Sequence, residues 1–212
     1  GLHKDASVII HTTPVGMYPE TGVSPVDLYQ FPHLEGVLDV IYNPARTKLL
    51  LEAEKRGIPA TGGLSMLVAQ AKRANELFMG VPQPDARLEA IIHTIRRQME
   101  NIVLIGMPGC GKSMAGRALA QDLRMEFADT DEEIHHMTGR TPAEIIREDG
   151  EEIFRQIEHE AVCRLGKKSG HVIATGGGVV MRAENYAPLH QNGTIVFLTR
   201  PVEELSSQGR PL

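Results

Sequence analysis

The 212-residue sequence predicts an α/β protein in two parts, each organised around a parallel sheet. Three observations carry that expectation. Continuous β-rich apolar runs of strand length recur along the chain, as at Val8-Ile9-Ile10, Val37-Leu38-Asp39-Val40-Ile41 and Ile102-Val103-Leu104-Ile105. Segments of helical spacing separate them, and strands alternating with helices imply parallel pairing. At Asn101 the apolar period changes from helical to strand-like with no Gly/Ser linker, which sets a boundary near Glu100 between residues 1–100 and 101–212.

In chain order, residues 7–11 read as a buried strand closed by the turn Thr12-Thr13-Pro14-Val15-Gly16. Residues 17–36 are rich in Pro and Gly and read as loop. Residues 36–41 form a second buried strand, and 46–55 a helix ended by Gly57-Ile58-Pro59. Gly62-Gly63 opens a helix to about Met79; Leu88, Ile91, Ile92, Ile95 and Met99 then line one face of another from about Asp85. Beyond the boundary, the strand at 102–105 leads into a Gly-rich loop and a helix over about 112–123. Thr141-Pro142-Ala143-Glu144 has the pattern of a capping box with Pro at the first helical position. Residues 151–165 read as helix, and 172–174 and 194–198 as further buried strands.

Composition narrows the function classes. With 42% hydrophobic and 23% charged residues, the chain has the make-up of an ordinary soluble protein. A net charge of −5 supplies no basic field for nucleic acid or acidic lipid, and the absence of Trp leaves little for base stacking. No run approaches the roughly 20 apolar residues of a membrane span, and no signal peptide is visible. Cys110 and Cys163 form no CxxC pair and no metal-ligand spacing with His, which points to a reducing, cytoplasmic setting. The opening Gly1-Leu2-His3-Lys4 and the stop at Arg210-Pro211-Leu212 read as cuts, so a longer parent protein is expected.

Gly106-Met107-Pro108-Gly109-Cys110-Gly111-Lys112-Ser113 satisfies G-x-x-x-x-G-K-[ST] at every defined position, between a strand and a helix. Its glycines let successive N–H groups turn inward around phosphates, and the helix start adds partial positive charge. Lys112 can reach the β- and γ-phosphates and Ser113 can ligate Mg²⁺. Nucleotide contacts are therefore expected at Gly109, Cys110, Gly111, Lys112, Ser113 and Met114.

Three signals are weaker. In Asp129-Thr130-Asp131 one carboxylate can orient Mg²⁺ while the other holds or deprotonates an acceptor hydroxyl; Asp is equally favoured at any helix N-terminus. Gly176-Gly177-Gly178 permits close backbone approach to a ligand, or is simply a flexible turn. Arg155 has Glu158 three residues on along one helix face. A fixed guanidinium suits bidentate capture of a carboxylate, although such a pair is ordinarily a solvated ion pair.

In order and spacing, GMPGCGKS, DTD, DGEEIFRQIE, GGG and GRPL together resemble shikimate kinase from about Asn101 to Leu212. The resemblance implies a P-loop kinase domain that uses ATP and Mg²⁺ to convert shikimate to shikimate 3-phosphate. It implies that Asp131, Arg155, Gly176, Gly177 and Gly178 bind shikimate, with Glu158 supporting Arg155. It implies catalytic roles for Lys112, Asp129, Asp131 and the lid arginine Arg210, with Ser113 and Asp129 beside Mg²⁺. The family's further shikimate-binding arginine and its adenine contacts lie beyond Leu212.

The first part resembles the C-terminal part of shikimate dehydrogenase over about residues 5–98. Three stretches carry this: Thr12-Thr13-Pro14-Val15-Gly16-Met17, Asp39-Val40-Ile41-Tyr42-Asn43-Pro44, and Gly62-Gly63-Leu64-Ser65-Met66-Leu67-Val68-Ala69-Gln70-Ala71. The resemblance implies a partial Rossmann-like NADP-binding domain. Val40 and Gly63 would approach the nicotinamide of NADP(H), and Tyr42 and Gln70 would contact shikimate. By residue chemistry alone, Tyr42 can equally cap a strand and Gln70 sit on a solvated helix face. His11 stands where that family more often has Asn. Its catalytic Lys and Asp and its Gly-rich dinucleotide turn precede the resembling region, so hydride transfer is not expected from these residues alone. The two parts together read as consecutive steps, reduction of 3-dehydroshikimate and phosphorylation of the shikimate formed. The alternatives are another small-molecule P-loop kinase, such as a gluconate kinase, or a nucleotide-binding module without catalysis. The partners on every reading are small molecules, with neither nucleic acid nor membrane.

Overall fold

The computed structural model describes residues 3–201, and the chain divides into two compact units at Met99 and Glu100. In the first unit β1 (Val8–His11), β2 (Gly36–Asp39) and β3 (Ala60–Thr61) pair in parallel in that order. Helix α1 (Lys48–Lys55) starts at Thr47, whose hydroxyl accepts the N–H of Leu50. Its Leu49, Leu50 and Ala53 pack with Leu28, Leu34 and Val37 as the core of the unit. Full burial of a leucine or valine side chain contributes about 1.5–3 kcal/mol. Helix α2 (Leu64–Met79) ends at Gly80 in the left-handed conformation, and α3 (Asp85–Met99) comes next. A groove of about 360 Å³ between them is lined by Leu67, Val68, Leu88, Ile91 and Ile95.

Two expectations for this unit are corrected. The strands at 7–11 and 36–41 are half-buried, not buried: Val37 enters the core, while Val8, Ile10 and Leu38 stay exposed on the other face. The second strand also ends early. Val40 N–H still bonds His11 O, but Ile41 N–H turns back to the Asp39 carboxylate at 3.0 Å, which takes Ile41 out of the sheet.

In the second unit β4 (Asn101–Gly106), β5 (Glu126–Asp129), β6 (His171–Ala174) and β7 (Gly193–Leu198) form a parallel sheet in the order β5-β6-β4-β7. Helix α4 (Lys112–Leu123) covers one face through Ala120, against Leu104 and Val172. A β-carbon at Gly116 would lie 2.8 Å from the Phe127 ring, so this glycine lets α4 sit close on the sheet. Helices α7 (Glu151–Gly166) and α8 (Tyr186–His190) cover the other face, where Val162, Leu165 and Leu189 meet Val103 and Ile173. Between β5 and α7 run α5 (Thr130–Thr138) and α6 (Pro142–Asp149). Ile134, Ile145, Phe154 and Ala161 tie these helices together. The capping box at Thr141 is formed, with both reciprocal hydrogen bonds. The expectation of a buried strand at 194–198 is corrected: β7 pairs only with β4 among the described strands, and Phe197 is 64% exposed.

Parallel register aligns three strand ends. Leu104 of β4, Ala174 of β6 and Asp129 of β5 lie side by side. The three segments leaving the C-terminal ends of these adjacent strands therefore emerge together, where α/β sheets bind ligands.

Candidate functional site

The segment after β4 is the phosphate loop. Gly109 and Gly111 take φ of 79° and 94°, values that a side chain would strain, and these turn the backbone into the first turn of α4. Lys112 is buried, and its ammonium donates to the carbonyls of Gly106 (2.8 Å) and Met107 (2.9 Å), bracing the loop from within. The Cys110 side chain is also buried, so only its backbone is offered to a ligand. Met114, in the first turn of α4, is 73% exposed.

The segment after β5 brings the first carboxylate to this loop. Ser113 Oγ donates to Asp129 Oδ2 at 2.7 Å, and Asp129 Oδ1 accepts the N–H of Asp131 at 2.9 Å, capping α5. The expected Mg²⁺ ligands thus stand in direct contact. Hydroxyl and carboxylate oxygens fit a hard cation that keeps most of its shell for water and phosphate oxygens. Among the described residues no cluster of three or more His, Cys, Asp or Glu offers a protein-only cage.

The segment after β6 is the triple-glycine turn, and each glycine meets a different partner. A β-carbon on Gly176 would sit 3.0 Å from Glu158 Oε1 and 3.2 Å from Asp131 Oδ1. One on Gly177 would lie 2.5 Å from the ring of Pro108 in the phosphate loop. One on Gly178 would collide with the Arg155 guanidinium. The contact at Gly177 is with a rigid ring and its backbone and leaves no room for a side chain, whereas Gly176 and Gly178 face the ends of flexible side chains; the turn packs closely against all three partners.

Arg155 is clamped. Its Nη1 donates to Glu158 Oε2 at 2.9 Å and its Nη2 to Glu151 Oε1 at 3.1 Å. Glu158 is only 1% exposed, so this is not the solvated ion pair that spacing alone favours. Burial works against the charge on Arg155, but the bonds and charges of Glu158 and Glu151 outweigh it and hold the guanidinium above its ordinary range. The fork stays charged with its geometry preset.

The structure thus brings together Gly109, Cys110, Gly111, Lys112, Ser113, Asp129, Asp131, Arg155 and Gly176 to Gly178. Arg210 lies outside the described residues. Sequence reasoning missed Thr130 and Pro108. Thr130 Oγ1 accepts the N–H of Gly176 at 2.7 Å across 46 residues, a contact with no local signature.

In the first unit, Val40 and Gly63 also meet. Gly63 N–H donates to Ile41 O at 2.8 Å, and a β-carbon on Gly63 would run into the Val40 carbonyl. Tyr42 and Gln70 are exposed. Asn43 Oδ1, in the same loop as Tyr42, is buried with no hydrogen-bond partner among the described residues. No Gly-x-Gly-x-x-Gly turn occurs in this unit to hold a pyrophosphate, so no hydride-transfer step is derived from it. His11 is buried in a network of its own: Nδ1 is 3.1 Å from Asp39 Oδ1 and Nε2 is 2.6 Å from Thr13 Oγ1.

A family model described as shikimate kinase matches residues 108–210, within the second unit. A shikimate kinase of Pelotomaculum thermopropionicum is 44% identical over 119 residues, which are 54% of this chain and 69% of that protein. The solved shikimate kinase from Acinetobacter baumannii in complex with shikimate is 39% identical, covering 53% of this chain and 63% of that one with a TM-score of 0.50. A shikimate dehydrogenase structure from Peptoclostridium difficile is 33% identical over 44% of this chain and 34% of that one; its TM-score of 0.41 is too low to bear on the first unit. The chain spans 64% and 61% of the length of two further curated kinases that it matches. On this likeness, and on the loop, carboxylates and clamped arginine that occupy the matched region, the chain belongs to the shikimate kinase family.

Proposed function

We propose that the second unit transfers the γ-phosphoryl group of ATP to a hydroxyl of shikimate. The observation that carries this reading is the convergence of the phosphate loop, Asp131 and a clamped Arg155 on one triple-glycine turn. The relative from Acinetobacter baumannii was solved with shikimate. Backbone N–H groups of the loop and Lys112 hold the β- and γ-phosphates. The preset fork of Arg155 takes the acceptor's carboxylate, and Asp131 orients its hydroxyl in line with the γ-phosphorus. Ser113 and Asp129 would hold a Mg²⁺ ion, which when bound would supply positive charge beside the phosphate oxygens. Catalysis by positioning and preorganised charge suffices for this reaction class.

A coupled assay of ADP release by the full-length protein tests this reading. Turnover that depends on shikimate is expected. Intact ATP binding with no response to shikimate would remove the substrate assignment. A gluconate-type kinase has no need of the clamp on Arg155, so Arg155→Ala discriminates: it should weaken acceptor binding far more than ATP binding.

We read the first unit as the C-terminal part of an NADP-dependent dehydrogenase that reduces 3-dehydroshikimate. The close Val40–Gly63 contact, the exposed Tyr42 and Gln70 and the orphaned Asn43 Oδ1 support it. Oxidation of NADPH by 3-dehydroshikimate on the full-length protein is the expected result. A protein with full kinase turnover and no such oxidation would sink this half of the reading alone.

A further inference from the structure

We propose that Thr130 is a positioning residue of the acceptor site, a latch that fixes the triple-glycine turn against the phosphate loop; this rests on the kinase reading of the second unit. Thr130 is fully buried at the first position of α5, between the two site carboxylates. Its Oγ1 accepts the N–H of Gly176 at 2.7 Å. The contacts around it close a ring. Ser113 bonds Asp129 at 2.7 Å, Asp129 caps the helix that Thr130 begins, Thr130 holds Gly176, and Gly177 lies against Pro108 of the same loop that carries Ser113. Every link except Thr130–Gly176 is local in sequence, made by a proposed ligand-binding group, or a steric contact. Thr175, just before the turn, is pinned to Leu104 O of β4 at 3.0 Å, and Thr130 is the side chain that holds the turn itself, at Gly176, to the α5 end that carries Asp129 and Asp131.

The geometry states what the latch sets. Gly176 faces Asp131 and Glu158, and Gly178 faces Arg155. Without the bond to Oγ1, the Gly176 N–H loses its partner and the turn can shift relative to both groups. A displacement of the order of 1 Å at a positioned substrate is enough to slow a reaction. The loss falls on the acceptor, because Lys112 is braced by the loop's own carbonyls.

The test compares Thr130→Val, which keeps the shape and removes the oxygen, with Thr130→Ser, which keeps the oxygen, in the full-length protein. Thr130→Val should raise the KM for shikimate about tenfold, the equivalent of one lost hydrogen bond to a buried group, with the KM for ATP within about twofold. Thr130→Ser should restore the acceptor KM to near the parent value. A Thr130→Val protein with unchanged acceptor KM, or with both KM values raised equally and no rescue by Ser, overturns the proposal. Hydrogen exchange at the Gly176 amide separates this proposal from the kinase reading. If the parent binds ATP but never turns over shikimate, the substrate assignment fails. The latch then stands if exchange at Gly176 accelerates in Thr130→Val, and falls if it does not.

Discussion

In each unit a parallel strand ends in a carboxylate, and the two carboxylates have opposite fates. Asp39, at the end of β2, is buried and saturated by its own neighbours: His11, the N–H of Ile41 and the hydroxyl of Thr47 all reach it, at 3.1, 3.0 and 2.7 Å. Asp129, at the end of β5, is half-buried and holds Ser113 and the N–H of Asp131 at the edge of the phosphate loop. The first knots a strand, a turn and the N-terminus of α1 into one block. The second leaves acceptor capacity at a crevice. An aspartate at the C-terminal end of a parallel strand is thus structural or functional according to how many donors its neighbours supply.

The largest expected effect breaks the second carboxylate. Asp129→Asn keeps the shape and the helix cap but removes the charge. It should lower kcat for ADP release by about 10²–10³, the range for loss of one preorganised electrostatic contact, with little change in Tm. A fall in Tm with unchanged kcat would reverse the contrast. The opposite pattern is expected for Asp39→Ala, which strands buried donors on His11, Ile41 and Thr47. It should cost about 3 kcal/mol of stability, read from denaturant unfolding of the full-length protein. An unaffected midpoint would mean that this network holds nothing.

A smaller effect sharpens the comparison through Arg155. Arg155→Lys retains the charge but loses the planar fork. The acceptor KM should rise about tenfold while the ATP KM holds. Equal kinetics for Lys and Arg would show that only charge matters there. The smallest effect concerns the exposed cap at Thr141. Its hydrogen bonds to Glu144, first from the backbone N–H and then from the hydroxyl, hold that carboxyl below the ordinary range. A depressed folded-state value means that the stabilisation is present above the unfolded carboxylate pKa and fades as pH falls through the lowered one. Thr141→Ala should therefore lower Tm slightly at neutral pH, and the difference from the parent should shrink under acid conditions. Melting curves at several pH values check both parts.

Much of the fold was legible before any coordinates. The phosphate loop, the helix-to-strand change at Asn101 and the capping box at Thr141 depend on residues within a few positions of one another, and all three form. The short strand β3 and the helix α8 were not legible, because two- and five-residue elements give no periodicity to read. Exposure was misread for β1, β2 and β7. An apolar run states that a strand can be covered on both faces, not that a layer is there to cover it. Arg155 and Glu158 were legible as a pair, but the burial of Glu158 and the approach of both to the triple-glycine turn were not.

By itself the sequence determined the α/β class, the nucleotide-phosphate loop and the order of motifs, since these depend on local spacing and backbone chemistry. Only the tertiary structure decided which of the weak signals belong to one site. Parallel register sets the ends of β4, β5 and β6 side by side, and there the absent side chains of Gly176, Gly177 and Gly178 leave room for Asp131, Pro108 and Arg155. Long-range packing also decided that Thr130 reaches Gly176 and that Asp39 is spent on its neighbours while Asp129 is not, because a residue's partners depend on the chain brought beside it.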